Sequence, residues 1–172
     1  MRFNYGPRAA VYLALGLDIA FKQGRGITWA ISMLAWMGLG LTVANLAPLA
    51  VAKYREQLKL VHWLPEAVGS SALIAAAFLN PYGNESRGYN YFVGLVAIWG
   101  FANAAINGLN AYLAKSQPQL RRESYVLLSL NLALGVLYLL APLGAIPAVG
   151  FLGAYLMLAG VHLGISAASS GK

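Results

Sequence analysis

From Asn90 to Lys115 the sequence reads NYFVGLVAIWGFANAAINGLNAYLAK, an almost wholly apolar run closed by a lysine. A stretch of about 20 apolar residues is what an α-helix needs to cross a bilayer. This run also carries Asn103, Asn107 and Asn110, spaced four and three apart, with Gly100 continuing the series upward. Residues at that spacing share one face of a helix. Amides turned toward acyl chains would cost roughly several kcal/mol each, because nothing there can hydrogen-bond them. The stripe must therefore face other protein or trapped water, and a single helix of this kind implies a bundle around it.

Composition agrees. Hydrophobic residues make up 59% of the 172, and charged residues only 10%. Soluble domains carry about 25% charged residues, so this chain cannot coat a water-soluble globule. The expectation is a single all-α integral membrane domain over 1–172, a polytopic helix bundle with the lipid bilayer as its first partner. Cysteine is absent, which removes disulfides and thiolate sites. The net charge of +7 does not imply nucleic acid, because the basic residues fall in short links between apolar runs, where membrane topology places them.

The spans follow in order. Arg8 to Lys22 encloses AAVYLALGLDIAF, short for a crossing. Ile27 to Val51 comes next, then a basic link (Lys53–Lys59), Val61 to Leu79, a loop at 81–88, the asparagine helix, Ser124 to Ala141, and Ala148 to Ala168. X-Pro steps at Ala47, Asn80 and Ala141 mark helix ends or kinks. If the first segment crosses, both termini are cytoplasmic. Arg2, Arg8, Lys53, Arg55, Lys59, Lys115, Arg121, Arg122 and Lys172 then lie inside, and Lys22, Arg25 and Arg87 outside: nine against three of the twelve basic residues. If it lies flat at the interface, five spans divide them seven to five. The larger asymmetry favours six transmembrane helices, arranged as three hairpins over 7–52, 59–115 and 119–170. The alternative is five spans plus an N-terminal interfacial helix. An offset of 56 positions relates Val93-Gly94, Trp99, Gly108 and Ala111 to Val149-Gly150, Tyr155, Gly164 and Ala167, the mark of a faint direct repeat.

Arg121-Arg122, Leu132-Ala133-Leu134-Gly135, Leu140-Ala141-Pro142, Val149-Gly150 and Ala159-Gly160-Val161-His162-Leu163-Gly164 resemble the HdeD-like family of small bacterial membrane proteins. The resemblance is carried mainly by the last third of the chain. It implies a six-helix protein linked to acid tolerance and stress response, and it brings no catalytic residues with it.

Candidate functional groups are few. The stripe of Asn103, Asn107 and Asn110 reads either as a polar path for protons or small solutes or as interhelical hydrogen bonding. Asp18 and Glu66 are the carboxylates within spans, and His62 lies four residues before Glu66; these are the candidate titratable groups inside the membrane. His162 is the candidate ligand for a chlorophyll or haem, the alternative to no cofactor. Gly160 and Gly164 form a small-xxx-small pattern that suits close helix packing. There is no Walker loop, dinucleotide fingerprint, metal-ligand spacing or nucleophile elbow, so neither an enzyme nor a metal site is expected. Two functions follow: modulation of proton or small-solute permeation under stress, or a non-catalytic accessory subunit of a larger respiratory or photosynthetic complex, docked to other membrane subunits or to itself.

Overall fold

A computed structural model describes residues 5–22, 26–50, 60–79 and 85–169, with the side chains of 60–63 and 85–86 outside the description. Six α-helices account for nearly all of these residues: α1 (Tyr5–Phe21), α2 (Ile27–Leu46), α3 (Leu60–Phe78), α4 (Glu85–Leu113), α5 (Pro118–Leu140) and α6 (Ala145–Ala168). A short 3-10 turn, Ala47–Ala50, continues α2 past Pro48. Several boundaries differ from the sequence reading, among them the starts of α4 and α5. The stretch from Glu85 to Gly88 is the first turn of α4 rather than loop. Residues Pro118–Glu123 are the opening turns of α5, because proline at the first helical position gives up only an N–H that has no partner there. The Lys53–Lys59 link and the termini lie outside the described residues.

Four segments are long and apolar enough to cross a membrane: Ile27–Ala50, Arg87–Leu113, Pro118–Leu140 and Ala145–Ala168. A shorter apolar helix occupies Leu64–Phe78. The outward faces remain apolar. Phe21, Phe78, Ile98 and Leu140 are each 69% exposed or more, a surface suited to lipid and not to water. This is a membrane helix bundle.

The pairing of helices departs from the expected three hairpins. The most extensive contacts join α4 to α5, α1 to α6 and α2 to α3, while α1–α2, α3–α4 and α5–α6 touch far less. In a bilayer, helices associate where small residues let backbones approach, and each tight pair has such a contact. A Cβ on Gly100 would fall 2.8 Å from the Gly135 nitrogen and 3.0 Å from the Asn131 carbonyl. One on Gly38 would fall 2.8 Å from the Ser70 carbonyl. Along α1–α6, Gly16 abuts Met157 and Gly153, Gly153 abuts Ile19, and Gly160 abuts Leu13. Gly164 is looser, with Ala9 3.9 Å from its Cβ position. Helices adjacent in sequence run antiparallel, and chain adjacency does not decide which of them share a face.

The alternation gives the bundle two distinct ends. One end gathers the first turns of α1, α3 and α5 and the last turns of α2, α4 and α6; it also carries Lys115, Arg121 and Arg122. Arg8, Asn45, Glu66, Ser70, Asn103, Asn107, Glu123, Ser124, Asn131 and Ser166 are the buried polar residues among those described. All of them lie between this basic end and mid-depth. The other half is filled by Ile19, Ile31, Phe92, Val96, Tyr138 and Leu152, each 1% exposed or less. There the Tyr138 hydroxyl donates to the Ala148 carbonyl, and the Phe92 and Tyr138 rings meet edge to face with centroids 6.2 Å apart.

Candidate functional site

The buried polar residues are not scattered. Arg8, in the first turn of α1, donates from Nη1 to Glu66 Oε2 on α3 at 2.5 Å, with side chains 5% and 9% exposed. One turn deeper, the buried Tyr12 ring stands edge to face on Tyr155 of α6, centroids 6.5 Å apart. The Tyr155 hydroxyl donates to Asn131 Oδ1 on α5 at 2.8 Å, and Asn131 Nδ2 donates to the Leu127 carbonyl at 2.7 Å. Trp99 of α4 closes the group. Its ring stands edge to face on Tyr155 at 5.7 Å and on Tyr12 at 6.4 Å.

Valence fixes the direction of the two bonds. A guanidinium can only donate, so Arg8 donates to Glu66, and an amide oxygen can only accept, so Tyr155 donates to Asn131. Tyr12 lies between them. This polar series starts from an ion pair near the basic end and stops at mid-depth, where the apolar half begins. Arg8 Nε is buried with no hydrogen-bond partner among the described residues.

The sequence-derived candidates divide. Asn103 and Asn107 are buried, and Asn110 is half-buried. Asn103 Nδ2 donates to the Trp99 carbonyl at 2.9 Å, and Asn107 Nδ2 to the Asn103 carbonyl at 2.8 Å. These amides therefore spend donors on their own helix one turn back. Glu66 belongs to the central site; its partner is Arg8, from a different helix. The backbone of α3 runs unbroken through Pro65, but the His62 side chain lies outside the described residues. Asp18 does not join the site. It is 30% exposed near the far end of α1 and pairs with Lys22 at 2.5 Å in an i,i+4 bridge, an arrangement of small energetic weight. His162 is half-buried on α6; among the described residues its Nε2 has no hydrogen-bond partner and no cluster of three metal-ligating side chains exists. Gly160 lies in the α1–α6 contact and Gly164 at its edge.

Sequence reasoning passed over Arg8, Tyr12 and Tyr155 as members of the site, and it placed Asn131, with Asn45, only as a natural partner of the asparagine stripe. Arg8 was counted as a link cation, yet it heads the buried stripe Arg8, Tyr12, Gly16, Ile19. Asn131 and Tyr155 lack any motif. Their signal is positional: Asn131 continues the buried series Glu123, Leu127, Asn131, Leu134, Tyr138 on α5, and Tyr155 is the repeat counterpart of Trp99, against which it packs.

No family model, curated protein or solved structure matches this chain.

Proposed function

We propose that this chain is a six-span integral membrane protein that modulates proton or small-solute permeation, with its basic end and both termini in the cytoplasm. The resemblance to the HdeD-like family supplies the setting, acid or related stress. Six crossings draw support from α1. At 17 residues it is about 25 Å long. It runs antiparallel along α6, from Ala9 against Gly164 to Ile19 against Gly153, and α6 is itself long enough to span. A helix lying flat at the interface would cross the end of α6 instead of following it.

The observation that carries the functional reading is the series of buried polar side chains from Glu66 and Arg8 through Tyr12 and Tyr155 to Asn131. Buried polar groups lower the cost of bringing a proton or a small polar solute from the basic end to mid-depth, since each offers the hydrogen bond that hydrocarbon cannot. The opposite half, closed by Leu152, Phe92 and Tyr138, sets the barrier. Two substitutions should then act with opposite signs. In proteoliposomes holding a pH or solute gradient, Tyr155→Phe removes the bond to Asn131 and should slow dissipation roughly fivefold, the factor matching about 1 kcal/mol for one hydrogen bond. Leu152→Asn places an amide in the apolar half and should accelerate it. Dissipation no faster than in protein-free liposomes, or a change of the same sign in both variants, would overturn the reading.

A second reading, the accessory subunit, is favoured by Gly94 and Gly150. They occupy equivalent places in the repeat, and neither has any atom within 4 Å of its Cβ position, which leaves two small-residue faces open to further helices. Comigration with larger species on native gels after gentle solubilisation is its expected result; a lone band at the mass of this chain would remove it.

A further inference from the structure

At the basic end, the link between α4 and α5 and the first turns of α5 enclose a groove of about 620 Å³ lined by Lys115, Arg121, Arg122, Tyr125, Val126 and Leu130, with Pro118 and Ser129 completing it. Its rim is cationic, and among the described residues no carboxylate lines it. Two of the cations are held in place. Lys115 Nζ lies 3.8 Å above the centre of the Tyr112 ring. The Arg121 guanidinium sits 5.6 Å from the Tyr125 ring centre and donates to the Tyr125 hydroxyl at 3.4 Å. Below the rim the wall turns apolar: Tyr125 and Val126 are 46% and 37% exposed, and Leu130 is half-buried one turn further into the span.

We propose that this groove binds an anionic glycerophospholipid of the adjoining leaflet. The headgroup phosphate meets Lys115, Arg121 and Arg122, and one acyl chain lies along Val126 and Leu130. Charge complementarity selects the headgroup. The change from cations to aliphatic side chains down one helix face selects a lipid over a soluble anion, because a free phosphate has nothing to place against Val126 and Leu130. A guanidinium also matches phosphate geometry with paired N–H donors. The proposal needs only that α5 lies in a bilayer, so it stands apart from the permeation reading.

The test uses the full chain, purified in mild detergent and offered dioleoyl phosphatidylglycerol or dioleoyl phosphatidylcholine, with retained lipid counted by native mass spectrometry. Phosphatidylglycerol should be retained at least tenfold more than phosphatidylcholine, on the scale of about 1 kcal/mol for each basic residue near an anionic surface. Arg121→Gln with Arg122→Gln should abolish that preference. Both side chains are exposed, so helicity should hold. Arg87→Gln, at the opposite end of the bundle, should leave the preference intact. Equal retention of the two lipids, or a preference that survives R121Q/R122Q, would overturn the proposal. Displacement of phosphatidylglycerol by inorganic phosphate would assign the groove to a soluble anion and also overturn it.

Discussion

Glu66→Leu is expected to destabilise the folded bundle by about 3–5 kcal/mol, the usual cost of leaving one member of a buried ion pair alone. The variant should unfold at markedly lower temperature or denaturant in detergent, followed by helical circular dichroism. Arg8 sits 4% exposed, and its pairing with Glu66 compensates its charge in a low-dielectric surrounding. A carboxylate left alone can be neutralised by one proton, whereas a guanidinium cannot shed one. Arg8→Met should therefore cost less than Glu66→Leu. The double variant, with both charges replaced by apolar groups of similar size, should recover most of the loss, since the desolvation of both charges disappears with them. A double variant as unstable as the sum of the singles would mean that the two side chains act independently. The pair would then not hold α1 to α3.

The same pair marks how far the sequence could be read. That the chain is a helical membrane bundle was legible, because runs such as Ile27–Val51 and Ala148–Ala168 are long and apolar, and both quantities are local. The inward turn of the asparagine stripe was also legible, since Asn103 and Asn107 exclude a lipid-facing position by their chemistry alone. Partner choice was not. Counting Arg8 as a link cation was reasonable from charge statistics. Only the three-dimensional meeting of α1 and α3 shows that it is neutralised by a residue 58 positions away. The expected α1–α2, α3–α4 and α5–α6 hairpins failed as packing units for a related reason. Helix order fixes which neighbours run antiparallel. The faces that touch are chosen by Gly16, Gly38, Gly100, Gly135 and Gly153, whose spacing forms no motif. The GxxxG pattern drew notice to Gly160 and Gly164, yet Gly164 is the looser of the two.

Gly100→Ala should be among the most damaging single methyls at the described glycines. Elsewhere in a helix this exchange is favourable by about 0.5–1 kcal/mol, because alanine loses less backbone freedom on folding. At Gly100 the added carbon would stand 2.8 Å from the Gly135 nitrogen and 3.0 Å from the Asn131 carbonyl and Gly135 Cα. These are backbone atoms, and no rotamer change can relieve them. Overpacking of this kind costs about 1–3 kcal/mol and more where the obstacle is rigid, so the net effect is the opposite of the helix preference. Relief requires α4 and α5 to move apart at the level of Asn131. That movement also loosens the Asn131–Tyr155 bond and the Trp99–Tyr155 contact, so lost stability and slowed gradient dissipation should appear together in this variant. Gly94→Ala on the same helix meets nothing within 4 Å and should leave both unchanged or raise stability slightly. If the two alanine variants unfold alike, backbone contact at Gly100 does not join α4 to α5. The polar series then depends on some other support.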